Sequence, residues 1–105
     1  MYLEIAQIEP KEIIKGYRGR FINTEKMTMA FWEVEEGAAI QIHNHIHEQT
    51  CQVLSGKFQL TVDGVTEVYE PGCVVVIPSI VPHGGVAITA CKLLDIFSPV
   101  REDYK

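Results

Sequence analysis

The chain has 105 residues, with 14 Asp and Glu against 9 Lys and Arg and a net charge of −5, which is enough for one domain and one core but not two. No stretch gathers the basic residues into a phosphate-tracking stripe, so nucleic acid is excluded as an expected partner. The start, MYLEIAQIEPKE, carries acids where an export signal needs bases and has no long apolar run; no membrane partner is expected, and the cytoplasm is the expected compartment.

Val, Ile and Thr number 29 while Leu and Ala number 11. Side chains stiff at χ1 suit a pleated surface, and an all-β chain follows. In chain order, residues 1–15 show a short apolar spacing broken by Pro10 and read as an N-terminal arm, an edge strand or a dimer contact. Residues 16–105 read as the barrel. Strands are predicted near Arg18 to Ile22, Thr28 to Glu35, Ala39 to His43, Thr50 to Leu54, Lys57 to Val62, Val65 to Tyr69, Val74 to Ile77, Gly85 to Ile88 and Cys91 to Ser98. Asp63-Gly64 between two such runs is a tight hairpin signal, because both central residues of that turn need positive φ. Ser55-Gly56 and Pro71-Gly72 mark further turns. Cys51, Cys73 and Cys91 are odd in number and form no CxxC pair, so they read as reduced thiols.

All four histidines are His43, His45, His47 and His83, and three of them fall within five residues. If that segment is extended, His43, His45 and also His47 present imidazoles to one side, where neutral ring nitrogens suit a divalent first-row metal. The alternative at this point is a His-rich polar hairpin. Trp32, Phe31, Phe21 and Phe58 read as barrel filling. Cys51 shares parity with Gln49, so it either lines a cavity or is an inert small hydrophobe.

The spacing Gly37, His43, His45, Gln49, Gly56 resembles the first motif of the cupin superfamily, and Gly72, Pro78, His83 resembles the second. The resemblance implies a double-stranded β-helix (a jelly-roll barrel) in which His43, His45, Gln49 and His83 hold one divalent transition metal ion: Zn, Ni, Mn or Fe. Gln49 stands where most cupins have Glu, Ile80 replaces the motif's Gly, and Cys73 replaces a frequent Asp. Three imidazoles and an amide leave the ion's charge uncompensated, which favours Lewis-acid chemistry. His47 is assigned to the pocket rim or to a supporting contact.

Cys91 to Ser98 is an apolar run interrupted by Asp95, a carboxyl that would be costly to bury unpaired. Leu93, Asp95 and Phe97 share one face, and Arg101 follows Pro99 closely enough to reach the same opening. From the residues alone, the pair reads as an ion pair or as site groups. The run LLDIFSPVREDYK is similar to the carboxyl-terminal signature of KdgF-like cupins, short proteins linked to pectin and alginate breakdown. That similarity implies opening of 4,5-unsaturated monouronates to linear keto forms, with Asp95, Phe97 and Arg101 as the acting residues. The implied partner is a small anionic sugar. Alternatives from the same metal motif are a quercetinase-type metal-dependent dioxygenase and a non-catalytic sugar- or metabolite-binding module. A homodimer is also expected, because small sheets expose edge strands that need covering.

Overall fold

Where inward and outward side chains alternate strictly, a strand can wall a core on one face only, and this chain does so along its central strands. The computed structural model describes all 105 residues, with strands β1 (Lys11–Ile14), β2 (Tyr17–Asn23), β3 (Thr28–Val34), β4 (Ala39–His43), β5 (Glu48–Ser55), β6 (Phe58–Val62), β7 (Val65–Tyr69), β8 (Val74–Ile77), β9 (His83–Ala87) and β10 (Cys91–Ser98). Single 3₁₀ turns cover Ile5–Gln7 and Glu102–Tyr104. Six strands in the order β1-β2-β3-β10-β5-β8 face four in the order β4-β9-β6-β7, and every pairing is antiparallel. This is the all-β jelly-roll barrel that the sequence leads one to expect. The three free cysteines form no disulfide.

Thr28, Ala30, Trp32 and Val34 of β3, and Cys91, Leu93, Asp95 and Phe97 of β10, are the buried set of their strands. Their intervening neighbours face outward. With Phe58 and Leu60 from the four-stranded sheet and Ile77 from β8, the apolar members of these sets form one core between the sheets. Each large apolar side chain removed from water there contributes about 2–3 kcal/mol. Gly19 leaves room for that packing, since a Cβ at this position would lie 2.6 Å from the Phe21 ring and 2.8 Å from Trp32.

Differences from the predicted strands are small but bear on the site. β5 begins at Glu48 rather than Thr50, which puts Gln49 on the strand with its side chain buried and Glu48 exposed on the other face. β9 begins at His83 rather than Gly85, and β2 begins at Tyr17 rather than Arg18. Lys11–Ile14 pairs with β2 at the edge of the larger sheet. Asp63 and Gly64 both adopt positive φ in the β6–β7 hairpin, as that turn requires.

Ile80, which stands at the glycine of the second cupin motif, has φ of 74°. A β-branched residue in the left-handed region costs roughly 1–2 kcal/mol relative to glycine. The surrounding contacts hold it there: the Ile80 amide donates to the His45 carbonyl at 2.8 Å, and Ser79 Oγ donates to the Ile46 carbonyl at 2.6 Å. Because its side chain is 54% exposed, little packing is lost on truncation. Ile80→Gly is therefore expected to stabilise the protein by about 0.5–1 kcal/mol despite glycine's greater unfolded-state entropy. A rise in Tm of a few degrees in a thermal melt would show it, and an unchanged or lower Tm would show that Ile80 is not strained.

Candidate metal centre

His43 ends β4 and His83 opens β9, and the two face each other across the β4–β9 ladder. His45 reaches them differently from the sequence expectation. It lies in the loop between β4 and β5, so loop geometry rather than strand alternation brings it inward. Ring centroids are 4.4 Å apart for His43–His83, 4.8 Å for His45–His83 and 5.6 Å for His43–His45. One ring nitrogen from each residue lies within 4.8 Å of the other two.

The backbone sets which nitrogen faces the site. Nδ1 of His43 bonds the Gln41 carbonyl at 2.8 Å, Nδ1 of His45 bonds the His47 carbonyl at 3.1 Å, and Nδ1 of His83 bonds the Val81 carbonyl at 2.8 Å. A carbonyl only accepts, so each Nδ1 carries the proton and each Nε2 offers a lone pair. His83 Nε2 is buried without a hydrogen-bond partner. His45 Nε2 lies 3.1 Å from Gln49 Oε1. Burial first, then the charges of Arg101 and His83, push the His45 imidazole down to about 4, so it is neutral at pH 7. Two acceptors at that separation repel each other unless a cation lies between them or the amide turns its NH₂ inward. An orphaned imidazole nitrogen beside two converging acceptors is a donor set that fits a divalent transition metal ion.

Asp95 lies in the wall opposite His43 and His83, on β10, one inward position from Phe97. Phe97 pairs with Gln49 of β5, and Asp95 pairs with Cys51. Trp32 Nε1 donates to Asp95 Oδ2 at 3.1 Å, while Oδ1 is buried without a partner. Burial pushes the carboxyl up to about 6, against the opposing pull of Cys51, Gln49, Trp32 and the Arg101 charge. The thiol and the amide favour the carboxylate, yet neither meets Oδ1 in hydrogen-bonding geometry. Cys51 lines the cavity, and burial raises its thiol well above the ordinary range, so it stays protonated.

Arg101 does not form the ion pair with Asp95. Its Nε and Nη2 donate to the two oxygens of Asp103 at 2.9 and 2.7 Å, and its guanidinium packs against both the Phe97 and Tyr104 rings, 4.8 and 4.4 Å from their centroids. The Arg101 amide donates to Thr28 Oγ1 at 2.8 Å, and Asn23 Nδ2 donates to the Tyr104 carbonyl at 3.2 Å, which folds the tail over the barrel end. With its side face committed to Asp103, the guanidinium retains its end-on N–H groups for another anion.

A cavity of about 70 Å³ joins these groups, bordered by His43, His45, Gln49, His83, Asp95 and Arg101 with Phe97 beside them. His47 stands outside it. Its ring is 5.3 Å from His45 and 6.4 Å from Phe97, and its carbonyl orients His45. The sequence reading missed Trp32 as the Asp95 partner, Tyr104 and Asp103 as the Arg101 supports, and Tyr17 as a cavity residue. Only parity offered a signal: Trp32 lies an even number of positions from buried Ala30, and Tyr17 from Gly19.

A family model for the cupin domain matches residues 30–97, and the chain belongs to that family. An RmlC-like cupin from Shewanella frigidimarina NCIMB 400 superposes with a TM-score of 0.94 at 31% identity, over 99% of this chain and 95% of that one. KdgF from Halomonas sp. gives 0.94 at 24% identity, over 100% and 98%. The polyketide cyclase RemF from Streptomyces resistomycificus gives 0.83 at 22% identity, over 93% and 78%. The last two show the fold alone. No curated protein sequence matches the chain. No helix is long and apolar enough to cross a membrane.

Two opposing titrations should show in the metal-free protein. Burial pushes His45 down to about 4 and holds His47 and His83 below the ordinary histidine range, so below about pH 6.5 the unfolded chain binds more protons, and stability rises with pH. Asp95 is held above the ordinary carboxylate range, so between about pH 4 and 6 the folded chain binds more protons, and its contribution falls with pH. Urea unfolding with a chelator present is expected to show stability rising from pH 4.5 to 7. Asp95→Asn should steepen that rise and add about 2–3 kcal/mol at pH 7. An unchanged slope would mean that the Asp95 carboxyl is not perturbed.

Proposed function

We propose that this cupin is a metal-dependent enzyme that opens 4,5-unsaturated monouronates to linear keto sugars. The observation that carries the reading is the Asp95 carboxyl, buried in the histidine-lined cavity with one oxygen fixed by Trp32 and the other free. The sequence signature shared with KdgF-like cupins and the superposition on Halomonas KdgF support it.

The reaction is an isomerisation. The anomeric hydroxyl loses its proton, the C1–O5 bond breaks to leave an aldehyde at C1 and an enolate at C5, and a proton added at C4 gives the 5-ketone. Atoms and electrons balance without an oxidant. A single divalent ion held by His43, His45, Gln49 and His83 would supply Lewis-acid stabilisation of developing negative charge on oxygen. Asp95 holds and transfers the proton through Oδ1, and its pKa near 6 suits both directions at neutral pH. Trp32 Nε1–H keeps Oδ2 from competing for that role. Arg101 binds the sugar carboxylate through the N–H groups that Asp103 leaves free, and Phe97 closes the site on one side as an apolar wall. The protein acts in the cytoplasm as a homodimer in which one or both outer strands of the six-stranded sheet, β1 and β8, are covered. A monomeric mass by light scattering at micromolar concentration would remove the dimer from this reading.

Metal titration into the chelated protein is expected to saturate at one ion per chain, and His83→Ala to weaken binding at least tenfold. Retention of wild-type affinity by His83→Ala would exclude this site. Turnover is read as loss of ultraviolet absorbance of an unsaturated monouronate. Asp95→Asn should keep its metal and lose about 10²-fold or more in kcat, while Arg101→Lys should mainly raise KM. Oxygen consumption with no absorbance loss would point to a dioxygenase instead, and a folded, metal-loaded, fully active Asp95→Asn would end the proton-transfer assignment.

A further inference from the structure

Four buried side-chain polar atoms have no hydrogen-bond partner: Tyr17 Oη, His47 Nδ1, His83 Nε2 and Asp95 Oδ1. Three of the four residues line the central cavity. The metal centre accounts for His83 and proton transfer accounts for Asp95, but neither uses Tyr17. An unpartnered buried hydroxyl costs about 1–3 kcal/mol, and a phenylalanine would fill the same space without that cost.

The ladder fixes where Tyr17 is anchored. Gln49 pairs with Phe97, Asp95 with Ala30, Leu93 with Trp32, and Cys91 with Val34, whose partner on the other side is Tyr17. Successive inward rows are about 7 Å apart, so Tyr17 is anchored three rows from Gln49 and two from Asp95, at the inner end of the barrel. Its ring packs edge-on against Trp32 at 5.9 Å between centroids, and Trp32 in turn holds Asp95. Tyr17, Trp32 and Asp95 thus form a continuous lining on the six-stranded sheet, while His43 and His83 come from the opposite sheet. Arg101 follows β10 at the other end. The cavity is therefore cationic at its outer end and carries a neutral phenol and an acidic acceptor within. Burial and the charge of Asp95 both keep the Tyr17 proton in place, so the phenol remains a donor.

We propose that Tyr17 Oη and Asp95 Oδ1 together form a hydroxyl-binding subsite, which receives the neutral, hydroxyl-bearing side of a sugar acid whose carboxylate lies at Arg101. The ligand class rests on the uronate reading; the subsite itself rests on the two unpartnered oxygens and their place in the ladder. Tyr17 Oη can donate to one ligand oxygen and Asp95 Oδ1 can accept from another, so the pair suits a face that carries more than one hydroxyl. A second carboxylate at that end would be desolvated beside Asp95, so the subsite selects acids with a single carboxylate.

The test uses binding rather than turnover. Calorimetry of zinc-loaded protein would compare D-galacturonate, a saturated polyhydroxy acid, with cyclohexanecarboxylate, which has the ring and the carboxylate but no hydroxyls. Tyr17→Phe is expected to weaken galacturonate about tenfold, to leave cyclohexanecarboxylate unchanged, and to keep or raise Tm because the orphaned hydroxyl is gone. Equal galacturonate affinity in wild type and Tyr17→Phe would overturn the subsite, as would equal weakening of both probes or no galacturonate binding by wild type. The two readings separate cleanly. Hydroxyl selectivity without turnover of an unsaturated monouronate leaves the subsite standing and removes the proposed reaction, and turnover without selectivity does the reverse.

Discussion

Three imidazoles from two strands and a loop each commit Nδ1 to a backbone carbonyl, and the rest of the site depends on that constraint. The bonds choose the tautomer, so one ring nitrogen of each residue is left free to face the other two across the site. Burial reinforces the choice by disfavouring the imidazolium, as the depressed His45 and His83 values show. The constraint reaches outward as well. The carbonyl that fixes His45 belongs to His47, and the carbonyl of His45 itself receives the Ile80 amide. The strained Ile80 conformation is thereby tied to the loop that carries His45.

The opposite wall solves a different problem, that of keeping a carboxyl among apolar neighbours. Asp95 lies between Leu93 and Phe97 on a buried face, and the sheet supplies one strong donor, Trp32 Nε1, rather than a counter-ion. One oxygen is satisfied and one is not. A fully paired carboxylate would titrate low and be inert as an acid, while an unsupported one would destabilise the barrel. Half-satisfaction yields a group poised near neutrality and aimed into the cavity.

Closure of the barrel end depends on the tail. Thr28 is fully buried, donates to Asn23 and accepts from the Arg101 amide, so a strand residue anchors the segment that carries the cation. Asp103 and the rings of Phe97 and Tyr104 then fix the guanidinium plane. Each support limits the rotamers open to Arg101.

The sequence by itself determined the all-β class, the Asp63-Gly64 hairpin and the grouping of His43, His45, Gln49 and His83, because turn chemistry, β-branching and motif spacing are local properties. It also marked Asp95 and Arg101, since a carboxyl in an apolar strand is anomalous wherever the strand packs. Which groups meet across the barrel was decided by the tertiary structure alone. Trp32 is 63 residues from Asp95 in sequence, and only the β3–β10 ladder brings the indole to the carboxyl. The sequence reading offered Arg101 only Asp95 as an ion-pair partner, and the fold of the tail gave its fork to Asp103. His45 faces the site through a loop conformation that strand alternation does not describe. Tyr17 is an ordinary aromatic one residue outside a predicted strand until two sheets close over its hydroxyl and leave it without a partner.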